Sequence, residues 1–310
     1  MDILTNILNS LPGAVAQGLI WGVMAIGLYI TYSILDVADL TVDGSICTGG
    51  AVCVMMMING YSVTVSMLCA FAAGMLCGFA TGFFHTVMGI PTILAGILTQ
   101  LALYSVNLKI LGKANQALNA GKYELLVSLR NVRNVPFYQN TIFIGAIFVV
   151  IIVAVLYWFF GTSLGCSLRA TGSNLNMSRA QGINTKVNTV LGLMISNGFV
   201  ALSGALLAQY QGYADVNMGR GAIVTGLAAV IIGGAVFGKI TKNFAARLIA
   251  VALGGVIYWI VYQLIISLGF DADLLKLLSA LVVAVFLAVP YLKREYFSKP
   301  KKRKEGTVNA

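Results

Sequence analysis

The chain has 310 residues, 59% of them hydrophobic and 10% charged, with a net charge of +10 and a mean hydropathy of +0.89. A soluble domain could not carry that composition without exposing large apolar areas, so soluble enzymes and nucleic-acid-binding modules are excluded. The chain reads as a polytopic membrane protein. Apolar runs long enough to cross a hydrocarbon core of about 30 Å recur along its whole length and lack the alternation of a barrel. In lipid every backbone group needs an internal partner, so the expected fold class is all-α, a helical membrane domain of about eight to ten spans. The 34 glycines suit such a bundle, because small residues let membrane helices approach closely.

In chain order the apolar segments fall at 11–35, 44–59, 62–84, 88–107, 140–160, 187–210, 221–238, 248–268 and 274–292. The stretch before the first has no basic n-region, so no cleaved signal peptide is expected. The second, which opens "DGSICTGGAV" at Asp43, is short for a full crossing and predicts a broken or re-entrant helix. That form is tolerated only where it is buried in protein or lines a cavity. Cys47, Cys53, Cys69 and Cys77 lie within apolar runs and pack as small hydrophobes, and these four with Cys166 show no ligand spacing. The single histidine, His85, stands at a span boundary, and the sequence shows no partners for a metal site or a proton relay.

Ser45, Thr48, Gln100 and Asn197 are polar positions within or beside apolar runs. They could line a substrate path, or they could bond helix to helix, as Ser, Thr and Asn do in membrane bundles. Ionisable residues are expected to be absent at mid-span: Asp36, Asp39 and Asp43 lie between the first two segments, Asp215 and Arg220 in a connection, and Lys276 near a span end. A transporter coupled to protons or sodium usually keeps such a residue at mid-span to bind the ion. Uphill movement through this chain would then draw its energy from elsewhere.

Lysine and arginine report sidedness. The end of the chain holds seven of the twenty basic residues, Lys293, Arg294, Lys299, Lys301, Lys302, Arg303 and Lys304, which predicts a basic cytoplasmic tail at 293–310 after a permease-like membrane domain at 1–292. Counting back, the last span starts outside beside Asp271 and Asp273, and the preceding one starts inside beside Lys239, Lys242 and Arg247. Two further crossings place 161–186, with Arg169, Arg179 and Lys186, in the cytoplasm. Loop 108–139 disagrees, with Lys109, Lys113, Lys122, Arg130 and Arg133 against Glu124 alone, yet falls outside by this count. No Lys or Arg precedes Lys109, so the side of the N-terminus stays open.

Catalytic chemistry finds no purchase. Gly233, Gly238 and Lys239 spell G-x-x-x-x-G-K, but Ile240 stands where a P-loop needs its Mg²⁺-binding Ser or Thr, with Thr241 one place late, and the segment ends an apolar run. No Ser/His/Asp set, carboxylate pair or HExxH is present, so the chain is expected not to be an enzyme and to bind no cofactor.

One polar stretch interrupts the apolar pattern, "GTSLGCSLRATGSNLNMSRAQGIN" at 161–184. It predicts a turn region followed by a short helix: Ser173 or Asn174 as N-cap, about two turns over 175–181, and Gly182 as a left-handed C-terminal cap. On composition alone it could be an ordinary positive-inside loop. The pattern G-x-x-L-R-A-x-G-x-N, formed by Gly165, Leu168, Arg169, Ala170, Gly172 and Asn174 and followed by Arg179, Ala180, Gly182, Ile183 and Asn184, resembles the coupling-loop signature of permease subunits of bacterial ABC importers of the branched-chain amino acid and ribose class. "DLTVDGSICTGGAV", "GIPTILAGILTQLALYSVNLKILG" and "GLAAVIIGGAVFG" are also similar to that class, and the resemblance covers most of the chain. It extends in particular to the branch paired with tryptophan- or tyrosine-type binding proteins.

The resemblance implies an importer in a bacterial cytoplasmic membrane that moves a small solute inward, an amino acid with aromatic ones favoured. A second permease copy, an extracytoplasmic substrate-binding protein and a cytoplasmic ATP-binding cassette subunit would be its partners, with ATP and Mg²⁺ held on the cassette. Arg169, Ala170, Gly172, Asn174, Arg179, Ala180, Gly182, Ile183 and Asn184 would then form the cassette contact. A passive channel or facilitator, or a membrane scaffold, would need neither ATPase nor binding protein.

Overall fold

The computed structural model describes residues 3–119, 121, 123, 125–132, 136, 139–238 and 243–267, with 277, 280, 281, 283–285 and 288 beyond them. Helices carry most of these residues: α1 Ile3–Tyr29, extended by a π-helical turn Ile30–Ile34, α2 Val42–Ile58, α3 Val63–Thr86, α4 Thr92–Leu111, α5 Thr141–Gly161, α6 Ser163–Ser173, α7 Leu175–Ala180, α8 Thr185–Gln211, α9 Ala222–Phe237 and α10 Phe244–Ser267. Six are long and apolar enough to cross a membrane, and α2 and α9 are shorter apolar helices. Two three-residue strands, β1 Asn115–Ala117 and β2 Tyr213–Asp215, pair antiparallel with Asn115 opposite Asp215.

Burial sorts these helices. In the spans Ser10–Ile34 and Thr185–Gln211, 78% and 72% of the most apolar window is buried, against 28–33% in the other four. The first pair, α1 and α8, therefore forms the centre, and α3, α4, α5 and α10 turn most of their apolar surface outward, as helices facing lipid do. Glycines set the closest approaches: a Cβ at Gly49 of α2 would overlap the backbone of Ala201 in α8, and one at Gly78 of α3 would overlap that of Leu193. Such contacts let membrane helices pack backbone to backbone, where apolar side chains alone gain little over lipid.

The β1–β2 pairing fixes one end of the bundle. It joins the connection after α4 to that after α8, and α1 starts there too, since Tyr210 Oη donates to Gly13 O at 3.3 Å. The opposite end gathers the π-helical turn, the α3–α4 turn and α6–α7. Here His85 ties its own connection, Nδ1 donating to Ile90 O at 2.8 Å. The loop after α4 folds back over the strand end, burying Leu118, Val127 and Val132 and offering Leu126 N–H to Gln209 Oε1 at 3.2 Å.

The two halves repeat one motif in opposite senses. A long central helix, α1 or α8, leads to an Ala-Asp turn, at Ala38-Asp39 or Ala214-Asp215, and then to a short apolar helix, α2 or α9. Each aspartate closes its turn alike: Asp39 Oδ1 accepts from Thr41 N–H at 2.9 Å and Asp215 Oδ1 from Asn217 N–H at 2.6 Å. α3 packs chiefly on α8, and α10 on α1. The short second segment thus has a counterpart that the sequence reading missed. α2 itself is continuous, and the irregularity lies before it, where Asp36 takes a left-handed φ of 55°. Most of the segment expected at 274–292, together with Asp271, Asp273, Lys276 and the basic tail, lies outside the described residues, as do Lys122, Glu124, Arg133, Lys239, Ile240, Thr241 and Lys242.

Candidate functional site

The polar stretch at 161–184 is more ordered than a turn region with one short helix. Residues 163–173 form α6, because Thr162 caps it, its Oγ1 accepting from Gly165 N–H at 3.3 Å. α7 follows directly, capped by Asn174, whose Oδ1 accepts from Met177 N–H at 3.0 Å. Gly182 then reverses the chain at φ +77°, a conformation that favours glycine, and Asn184 caps α8 by accepting from Val187 N–H at 3.3 Å.

Several of the predicted contact residues are thereby occupied within the chain. Gly172 lies against Ile34, so closely that a Cβ would overlap its carbonyl oxygen. Arg169 reaches back over the Phe160 and Phe244 rings, 5.7 and 5.2 Å from their centroids, and donates to Phe160 O, bracing α6 against α5 and α10. Arg179 Nε donates to Thr185 Oγ1 at 3.1 Å. Ala170 and Ile183 are half-buried, whereas Ala180 is exposed. What the loop presents outward is α7, with Leu175, Asn176, Met177, Ala180 and Gln181 exposed. Met177 at 64% exposure is its most prominent apolar group. Neither Leu175 nor Met177 was among the contact residues that the resemblance implied.

In the interior, Ser45 Oγ donates to Asn197 Oδ1 at 2.6 Å, and Asn197 Nδ2 donates to Asp39 Oδ2 at 2.6 Å and to Leu193 O at 3.0 Å. Thr41, Thr81 and Thr99 continue the chain of hydroxyls at 2.6 and 2.9 Å. Asn197 is the thirteenth of the 27 residues of α8, so Asp39 sits at the middle of the bundle, 3% exposed. The expectation that no ionisable residue reaches mid-span is corrected here: an extended connection after the π-helical turn carries Asp39 inward. Sequence hydropathy assigns such a connection to the surface.

Thr48 back-bonds to Gly44 O at 3.0 Å and is buried. Of the four polar path candidates, Gln100 borders an open cavity, shared with Asp43, Tyr104, Asn107, Asn217 and Arg220. The described part of the near P-loop lies in helix and its C-cap: Gly233 is inside α9, packed on Ala250 of α10, and Gly238 caps that helix.

A family model described as branched-chain amino acid transport system / permease component matches residues 11–289. The tyrosine transport system permease protein of Clostridioides difficile is 40% identical over 281 residues, 91% of each chain. The fructose import permease protein of Bifidobacterium longum is 27% identical across 98% of this chain and 86% of its own. An autoinducer 2 import system permease protein of Photorhabdus laumondii is 31% identical across 62% of this chain and 56% of its own. No solved structure matches. A model that spans nearly every described helix, together with a relative of this identity and coverage, decides the matter: the chain belongs to the family of branched-chain amino acid transport system permease components.

Proposed function

We propose that the chain is the membrane subunit of an ABC importer that passes an amino acid, with an aromatic one favoured, toward the cytoplasm. The relative that is 40% identical over 91% of the chain and is named for tyrosine transport carries this reading. A separate cassette subunit would bind ATP and Mg²⁺ and dock on α7, a second permease copy would complete the path, and an extracytoplasmic binding protein would dock on the folded loop at the strand end. Residues 1–292 form the permease domain in this reading, and 293–310 a cytoplasmic tail.

The geometry supports transmission from α7. Arg169 locks α6 to α5 and α10, and Gly172 seats it on the end of α1. Ser196 Oγ in α8 donates to Gly27 O in α1 at 2.8 Å, so the two central helices are fastened to each other as well. A push on α7 would therefore move packed helices as a body rather than deform a loop. Co-expression with cognate cassette and binding-protein subunits should give ATP-dependent uptake of labelled L-tyrosine or L-tryptophan, and neither uptake nor ATP hydrolysis by the chain alone. Uptake at the same rate without a cassette would replace this reading by a passive facilitator.

A further inference from the structure

The cavity between α2, α4 and the turn at 216–220 has a volume of about 280 Å³, at the lower edge of small-ligand pockets (~300–1,000 Å³). Three of its side chains come from one stripe of α4, Gln100, Tyr104 and Asn107, spaced four and three residues apart and so on one helix face. Asn107 is 1% exposed, and its Oδ1 has no hydrogen-bond partner, while its Nδ2 reaches Gly44 O at 3.4 Å. A buried acceptor without a donor is unfavourable, and an incoming N–H would offset that cost. Asp43 stands across the cavity, its oxygens accepting from Gly221 N–H at 3.0 Å and Ile223 N–H at 2.9 Å. It caps the start of α9, which has no side-chain cap of its own, and so denies that helix end to any other anion.

A ligand carboxylate in this cavity must therefore find another donor. Arg220 is on the rim, exposed, and among the described residues its guanidinium makes no hydrogen bond or ion pair. The floor is rigid: Cys47 Sγ donates to Val216 O at 3.3 Å and accepts from Gly219 N–H at 3.2 Å, and a Cβ at Gly219 would overlap Asp43 O. Two larger cavities, at Gln17 and Tyr210 and at Met57 and Tyr123, are lined by no charged side chain among the described residues, and two others, at Arg169 and Arg247 and at Asp36 and Arg179, lie against the α6–α7 loop.

Resting on the reading of the chain as an amino-acid permease, we propose that this cavity is a binding station for the zwitterion of an L-aromatic amino acid on its way through the membrane. Arg220 pairs with the carboxylate, Asn107 Oδ1 and the Asp43 carboxylate accept from the ammonium, and the Tyr104 ring, 45% exposed, lies against the aromatic side chain. Gln100 completes the polar wall.

The test uses the full chain in lipid nanodiscs, with Asn217→Cys as a reporter and maleimide modification read at that site by mass spectrometry. L-tyrosine should slow the modification severalfold. Tyramine, which lacks the carboxylate, and 3-(4-hydroxyphenyl)propionate, which lacks the ammonium, should not. Arg220→Gln, a change at an exposed side chain that leaves the core untouched, should raise the half-protecting L-tyrosine concentration by roughly tenfold or more. Asn107→Leu should do the same, and Asn107→Asp, which keeps an acceptor, should restore protection. Equal protection by all three compounds, or none by L-tyrosine while the complete importer takes it up, would overturn the station and leave the permease reading standing. A complete wild-type importer that takes up no amino acid overturns both.

Discussion

Gly172 shows how much one residue constrains the coupling loop. With no side chain it lets α6 lie on the Ile34 carbonyl, at the end of a central helix; a methyl group there would have to displace backbone on both sides. Gly172→Leu should therefore lower the stability of the detergent-solubilised chain by about 1–3 kcal/mol, the usual cost of overpacking, read as a fall in the midpoint of thermal unfolding. The same substitution at Gly161, where a Cβ would meet nothing, should leave the midpoint unchanged. The sequence motif marked Gly172, Asn174, Gly182 and Asn184, and turn chemistry alone accounts for the caps at Asn174 and Asn184 and the reversal at Gly182. The bracing role of Arg169 was not legible, because it depends on Phe160 and Phe244 meeting at the α6 surface from two distant segments. Asp39 was hidden for a related reason: hydropathy measures the residue, whereas its burial comes from Asn197, 158 residues away.

Among the elements, α7 is the one whose sequence and exposure ask for a partner. Its six residues are too few to be stable alone, since isolated helices shorter than about 12–15 residues are marginal in water. It holds through the Asn174 cap, the Gly182 reversal and the Arg179–Thr185 bond, which leaves Met177 and Ala180 free of internal duty. Replacing these two separates docking from folding. Met177→Glu and Ala180→Trp should cut co-purification of the cassette and ATP-dependent uptake together, by roughly tenfold for a central contact, while membrane abundance stays normal. Gly182→Leu should do so too, but with a loss of stability from the strained left-handed position. Retained cassette and normal uptake in the first two variants would make α7 an ordinary surface turn. The long helices were all legible from apolar runs, to within a few residues at most ends. The mirrored role of α9 was not: its 16 residues read as one more ordinary span, and the matching turns closed by Asp39 and Asp215, with its place beside α10, identify it as the counterpart of α2.

At the scale of the whole molecule, the open question of sidedness reduces to one choice, because the pairing of β1 with β2 forces the loop after α4 and the connection after α8 to share an end. α5 and α8 each lead from one end to the other, so α6–α7 must lie opposite. The basic residues of the described chain do not choose between the ends: Lys109, Lys113, Arg130 and Arg220 stand at or near one, Arg169, Arg179, Lys186 and Arg247 at the other. The seven basic residues of 293–310 break the tie if 274–292 crosses once more after α10, for they then join the α6–α7 end and pull it to the cytoplasm. A folded loop that buries Val127 and Val132 against the bundle can cross as a unit, and its five lysines and arginines then weigh less than the free tail. Two cysteine reporters test this in a background with Cys69→Ala and Cys166→Ser, where Cys47, Cys53 and Cys77 are buried and can remain. Lys113→Cys lies at the exposed turn before β1, and Asn176→Cys on the exposed side of α7. A membrane-impermeant maleimide applied to intact cells should modify the first and spare the second, with the second modified once the membrane is opened. The reverse pattern would put the strand end in the cytoplasm, and with it would fall the docking of a cassette on α7, since ATP is available only on the cytoplasmic side.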